Sequence, residues 1–137
     1  MIIGVGIDIL KIDYINQMLE KHGDNFLKLH FSAAEIQMFL NKKRFANQFL
    51  GGRFAAKEAF FKATSAYTGM ELGFCDIEVI NDDTGKPEIK FLRHKPACMK
   101  DDLIWLSISH HCEYAVAQVI VERAGVGIVR NKMEVVK

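Results

Sequence analysis

The sequence predicts an α+β domain in which a small antiparallel sheet packs with helices, and three observations carry that prediction. The chain opens on an alternation of apolar residues with glycine and aspartate. Helical periodicity dominates from Ile12 to Ala66. Beyond it, short strand-like runs rich in β-branched residues are paired around turns.

Taken in order, Ile3, Val5, Ile7 and Ile9 alternate with Gly4, Gly6 and Asp8, the period of a strand with one apolar face. Asp8 then shares the opposite face with two glycines, whose missing side chains leave room for a ligand or another backbone. From Ile12 to Lys21, Ile12, Ile15, Met18 and Leu19 recur at helical spacing, and Gly23 stops the run. Ser32 followed by Glu35 is a capping-box signature, and Ile36, Phe39 and Leu40 supply the stripe of the helix it starts. The longest helix is expected from Ala46 to Ala66, where alanines favour helix and no breaker intervenes late in the run.

That helix has two faces. Ala56, Ala59, Phe60, Ala63 and Tyr67 form an apolar stripe, while Glu58 and Lys62 lie one turn apart elsewhere, bordered by Phe54 and Phe61. Phenylalanines rarely border a solvated face, so these charges are expected in a cleft or an interface. The plainer alternative is a surface Glu58/Lys62 pair, with Asp8 capping a strand end. Further on, strands Phe74 to Ile80 and Glu88 to Leu92 flank a turn that holds Gly85 and Pro87. Leu103 to Ser109 and Tyr114 to Val121 form a second strand pair around His110 to Glu113. The stretch from Ala124 to Lys137 carries no assignable pattern.

With 137 residues, half of them hydrophobic, the chain can bury one real core and reads as a single domain. A formal charge of +1 names no partner by itself. The distribution says more, because Lys42, Lys43, Arg44, Arg53, Lys57 and Lys62 crowd one segment as a candidate anion site. No aromatic-basic interleaving or known motif points to nucleic acid. Cys75, Cys98 and Cys112 form neither a disulfide framework nor a short metal-ligand spacing, which suits a reducing cytosol. The apolar N-terminus lacks a basic leader and meets charge at Asp8, so neither a signal peptide nor a membrane span is expected.

Asp8 and Glu58, on different elements, are a minimal protein contribution to Mg²⁺, which keeps several waters and takes further oxygens from a substrate phosphate. Lys62, one turn beyond Glu58, would neutralise that phosphate as charge develops. Three classes fit this much: a phosphate-transferring enzyme, a metal-dependent phosphohydrolase, and a noncatalytic binding module. No P-loop or GxGxxG run is present, and the Ser107-Ile108-Ser109-His110 spacing supports no catalytic triad.

Three anchors in register carry a resemblance: Gly6-Ile7-Asp8-Ile9; Gly52 to Ala59 with Lys62; and Ser107-Ile108-Ser109-His110 followed by Tyr114-Ala115. With them the chain resembles the holo-acyl-carrier-protein synthases, the short bacterial branch of the 4′-phosphopantetheinyl transferases. The likeness runs from Ile3 to about Glu122, which makes 1–122 the transferase domain and 123–137 a C-terminal extension. It implies transfer of the phosphopantetheine arm of coenzyme A to a serine of an acyl carrier protein, as in fatty acid biosynthesis.

It further implies that Asp8 and Glu58 hold Mg²⁺ and that Glu58 and Lys62 are catalytic. Arg53, Lys62, Gly85, Pro87 and His110 would bind coenzyme A, with Arg44 a weaker candidate. The serine proton would pass to Glu58 or to a metal-bound water. Lys11, Met18, Lys21 and Lys28 would dock the acidic carrier protein. The resemblance also implies a homotrimer with active sites between subunits. Two positions depart from the family pattern: Tyr14 stands where an arginine is common, and Thr64 to Gly69 replaces a glycine-threonine-glycine loop.

Overall fold

The computed structural model describes residues 1–68 and 72–125. The loop expected through Gly69, the Tyr67 side chain and the stretch from residue 126 lie outside the described residues. In chain order the elements are β1 (Ile2–Lys11), α1 (Ile12–His22), α2 (Asp24–His30), α3 (Ala33–Asn41) and α4 (Ala46–Thr68). There follow a 3-10 turn (Phe74–Asp76), β2 (Ile77–Asn81), β3 (Pro87–Phe91), a second 3-10 turn (Ala97–Met99), β4 (Asp102–His111) and β5 (Tyr114–Arg123).

The strands form two antiparallel sheets, one of order β1-β5-β4 and a β2-β3 hairpin. Helices and antiparallel sheet are thus segregated as the α+β reading expects. Helix α2 is the element the sequence did not announce. Its seven residues bury only Phe26 and Leu27, too short a run to show periodicity, and so short a helix owes its existence to tertiary packing. The Ser32/Glu35 capping box forms as expected, with Glu35 N–H donating to Ser32 Oγ at 3.1 Å and Ser32 N–H to Glu35 Oε1 at 2.8 Å.

The two faces of β1 have the opposite use to the usual one. Its glycine face, Gly4 and Gly6, lies directly on α4, where an added Cβ would overlap the carbonyl oxygens of Ala63 and Ala59. The close approach continues across the sheet through buried Ala117, Val119 and Val121, which cluster with Ala55, Ala56, Ala59 and Ala63. The space beside Asp8 is therefore taken by another backbone, one of the two occupants the glycines allowed. The apolar face points outward instead: Val5, Ile7 and Ile9 are 55%, 59% and 66% exposed, and Trp105 of β4 is 46% exposed on the same side. Ile3 leaves the alternation at an irregularity between Ile2 and Gly4 and packs against the core.

A second apolar cluster, Ile15, Phe26, Leu27, Phe31, Phe49, Leu50 and Phe54, holds α1 and α2 against the first half of α4. Between β2 and β3, Asp82 Oδ1 accepts from Thr84 N–H, Thr84 Oγ1 and Lys86 N–H, while Gly85 takes φ +86. That positive φ is what requires glycine in the turn.

Candidate active site

Strand β1 and helix α4 bring Asp8, Glu58 and Lys62 together. Lys62 Nζ lies 3.0 Å from Asp8 Oδ1 and donates to the Ile7 carbonyl at 3.0 Å. Lys62 therefore pairs across to the strand, while its sequence neighbour one turn back, Glu58, carries a carboxyl whose pKa is raised. Burial is the main cause and the Asp8 charge the second, with Lys62 and His30 pulling the other way. Two carboxylates in one field, one of them half-buried, are a costly arrangement that the Lys62 ammonium offsets only in part.

Arg53, one turn before Lys57 on α4, is buried. Its guanidinium lies 4.2 Å from the centre of the Phe49 ring, its Nη2 donates to Asn81 Oδ1 at 3.2 Å, and its Nε is buried without a partner. Lys42 Nζ covers the same ring at 5.0 Å. His110, at the end of β4, reaches the N-terminal part of α4. Its Nε2 is 3.0 Å from the Gln48 carbonyl, and an added Cβ on Gly52 would come 2.6 Å from it. A carbonyl only accepts, so Nε2 carries the proton and Nδ1 is left for any further contact. From Gly52 to Glu58 the helix rises about 9 Å, so His110 and the carboxylates mark separate parts of an elongated site.

Lys57 is a correction to the basic crowd read from the sequence. It is fully buried, 2.6 Å from Glu35 Oε1, and donates to the carbonyls of His30 and Phe74 at 2.9 Å each. Glu35 Oε2 in turn accepts the Val79 N–H at 3.0 Å. The pair is structural, joining α2, α3, α4 and β2, and is not open to an anion. Burial pushes the Lys57 ammonium below the ordinary lysine value against the pull of Glu35.

Gly85 and Pro87 lie away from the carboxylates. Pro87 lines a cleft of about 310 Å³ with Lys86, Trp105, Ser107, Gln118 and Ile120, which opens on the outward sheet face. The docking residues are also divided. Met18 and Lys28 line a groove of about 580 Å³ between α1 and α2, together with His22, Asn25, Phe26, Leu29 and His30. Lys21 is exposed on α1, and Lys11 lines a different cleft near Gln48 and Cys112. Tyr14 packs its ring 5.8 Å from Phe54. His30 and Glu35 are the groups that sequence reasoning missed as neighbours of the site; only the capping signature at Glu35 was visible.

Among the described residues no helix is long and apolar enough to cross a membrane. Nor does any group of three or more His, Cys, Asp or Glu side chains form a self-sufficient metal cage among them.

Over residues 4–118 the sequence matches the 4′-phosphopantetheinyl transferase superfamily, and the chain belongs to that family. Among its relatives, the holo-[acyl-carrier-protein] synthase of Geobacillus sp. (strain WCH70) is 43% identical over 125 residues, covering 90% of this chain and 98% of that one. The synthase of Bacillus velezensis is 45% identical over 127 residues, again covering 90% and 98%. Among solved structures, the holo-(acyl-carrier-protein) synthase of Bacillus anthracis str. Ames, in complex with CoA (3′,5′-ADP), superposes with a TM-score of 0.75. It is 40% identical and covers 90% of this chain and 99% of that one. The synthase of Neisseria meningitidis also gives a TM-score of 0.75, at 28% identity, with coverage of 90% and 100%.

Proposed function

We propose that the protein transfers the 4′-phosphopantetheine group of coenzyme A to a serine of apo acyl carrier protein, as in fatty acid biosynthesis, releasing adenosine 3′,5′-bisphosphate. The observation that carries this reading is the meeting of Asp8 from β1 with Glu58 from α4, whose carboxyl feels the Asp8 charge, beside a lysine that bonds Asp8. Family membership over most of the chain supports it. The direct test is intact mass of apo carrier protein incubated with coenzyme A, Mg²⁺ and the protein. The carrier should gain one phosphopantetheine; loss of coenzyme A with no gain on the carrier would instead indicate a phosphohydrolase.

The donor set fits Mg²⁺: two carboxylate oxygens from different elements, with the remaining positions left to water and pyrophosphate. Asp8 and Glu58 would hold the ion, which when bound supplies charge neutralisation at the pyrophosphate. Lys62, half in solvent, is placed to meet phosphate charge on the leaving side. Arg53 and His110 would bind coenzyme A phosphates at the upper part of α4, and Gly85 and Pro87 would contact the adenine. For His110 a phosphate contact through Nδ1 requires the doubly protonated ring, since Nε2 already donates to Gln48.

Metal binding has a pH signature. A carboxyl with a raised pKa in the folded state contributes stability below its unfolded value near 4.5, and that contribution is lost as pH rises through the folded pKa. At neutral pH the ionised Glu58 carboxylate therefore costs stability, which a divalent cation would offset. Millimolar Mg²⁺ should raise Tm more at pH 7.5 than at pH 5, and Glu58→Gln should remove most of the increment. An equal increment at both pH values would detach the metal from this pair.

The exposed outward sheet face supports a homotrimer. Val5, Ile7, Ile9, Leu103 and Trp105 form an exposed apolar surface continuous with the cleft at Pro87. Neighbouring copies would cover it, and the family resemblance implies that one subunit's Gly85 turn serves the site of another. Ile7→Glu should yield monomers in sedimentation velocity together with loss of turnover. A trimer that persists in this variant would refute the placement. The reduced cysteines suit the cytoplasm, and residues 123–137 are read as an extension outside the catalytic domain.

A further inference from the structure

Lys57 and Arg53 are the cations buried among the described residues, and they are provided for very differently. Lys57 has the Glu35 carboxylate at 2.6 Å and two carbonyls besides. Arg53, one turn earlier on α4 and only 6% exposed, forms no ion pair among the described residues. Its contacts are the face of the Phe49 ring at 4.2 Å and one neutral acceptor, Asn81 Oδ1, at 3.2 Å, while its Nε has no partner. Lys42 Nζ lies 5.0 Å from the centre of the same ring and also forms no ion pair among the described residues. Buried guanidinium groups are ordinarily matched by an acid or a phosphate, so this local excess of positive charge suits an anionic ligand. Asn81 is the last residue of β2, exposed, and pairs with Pro87 across the hairpin. Asp82, next in the chain, is the acceptor that shapes the Gly85 turn. One side-chain hydrogen bond therefore ties Arg53 on α4 to the turn that carries Gly85 and Pro87.

We propose that Asn81 is a positioning residue that fixes the Arg53 guanidinium relative to the Gly85 and Pro87 turn, so that cation and turn meet one coenzyme A molecule, a role that rests on the transferase reading above. An exposed amide can bond water equally well, so the contact does little for Asn81 itself; it serves the guanidinium. The Phe49 face sets the plane of the fork, and Asn81 sets its rotation within that plane. Being neutral, the amide orients the cation without cancelling its charge, which a carboxylate at this position would do. Among the described residues only Nη2 donates to a protein acceptor, which leaves the rest of the fork for phosphate oxygens. Arg53 and the turn belong to one chain and are held as a unit, whichever subunit's carboxylates that unit faces.

The test measures binding of adenosine 3′,5′-bisphosphate by calorimetry and steady-state transfer to the carrier, for the parent, Asn81→Leu and Asn81→Asp. Asn81→Leu removes the acceptor at similar volume and should weaken bisphosphate binding and raise KM for coenzyme A by about 10-fold. Its kcat and its KM for the carrier should stay within about two-fold of the parent. Asn81→Asp separates positioning from mere support. A carboxylate accepts from Nη2 as well as an amide does and adds an ion pair, so Tm should hold or rise. KM for coenzyme A should nevertheless rise at least as far as in Asn81→Leu, because the new acid occupies the cation. In an Arg53→Gln background Asn81→Leu should add less than about two-fold, since its effect runs through Arg53. An Asn81→Asp protein that binds the bisphosphate as the parent does would reduce Asn81 to a hairpin support and overturn the proposal. So would an undiminished effect of Asn81→Leu without Arg53, a loss confined to kcat, or a parent that does not bind the bisphosphate. A parent that binds it but never modifies the carrier overturns the transferase reading, with Asn81 then judged on the bisphosphate affinities. An active parent whose KM for coenzyme A is matched by both variants overturns Asn81 alone.

Discussion

Glu58→Ala and Asp8→Ala should each lower kcat/KM by roughly a thousand-fold, about 4 kcal/mol of transition-state stabilisation. Each removes one of two protein oxygens that would hold the cation, and a lone carboxylate binds Mg²⁺ weakly. The informative variant is Glu58→Gln. It keeps the shape of the side chain but removes a charge that burial and Asp8 both oppose. Activity should therefore fall while Tm at neutral pH stays level or rises in metal-free buffer, the mark of a group kept for function at the expense of stability. Full turnover of Asp8→Asn or Glu58→Gln at saturating Mg²⁺ would sink the site assignment. A parallel loss of Tm and activity would reduce both residues to a packing role.

The largest effect on stability is expected at Lys57. In Lys57→Met the Glu35 carboxylate would stay fully buried and lose its cation, which typically costs about 3–5 kcal/mol. That is a large share of the roughly 5–15 kcal/mol that holds a domain together, so Tm should fall by roughly 10 °C or more. Lys57 also bonds the His30 and Phe74 carbonyls, so the groove wall would loosen with it. The double variant Lys57→Met/Glu35→Met should recover much of the loss, because it buries no unpaired charge. Chemical denaturation of the four proteins gives the coupling energy. A Lys57→Met protein as stable as the parent would show that the pair contributes nothing to the fold.

Local signals made most of this fold legible. The capping box at Ser32, the unbroken run of α4 and the Gly85 turn each state their own conformation, because caps, propensities and positive φ act within a few residues. Helix α2 was hidden because its seven residues depend on contacts from elsewhere. The candidate site was legible in its residue types: Asp8, Glu58 and Lys62 lie together. Their partnerships were not legible. Lys62 pairs with Asp8 and not with Glu58, and Lys57, one of six basic residues that looked alike in sequence, is the one sealed inside by Glu35.

What the sequence determined by itself was the class of domain and the three motifs that place it in its family, because secondary structure and short chemical signatures are written in near neighbours. Only the tertiary structure decided how β1 is used. An alternation of isoleucine and valine with glycine ordinarily sends the branched side chains inward. Here the glycines meet the α4 backbone, because that helix, lined with alanines, can approach the sheet more closely than any side chain would permit, and the isoleucines are left outside. Which face of a strand is buried depends on what packs against it, and that contact joins residues more than fifty positions apart.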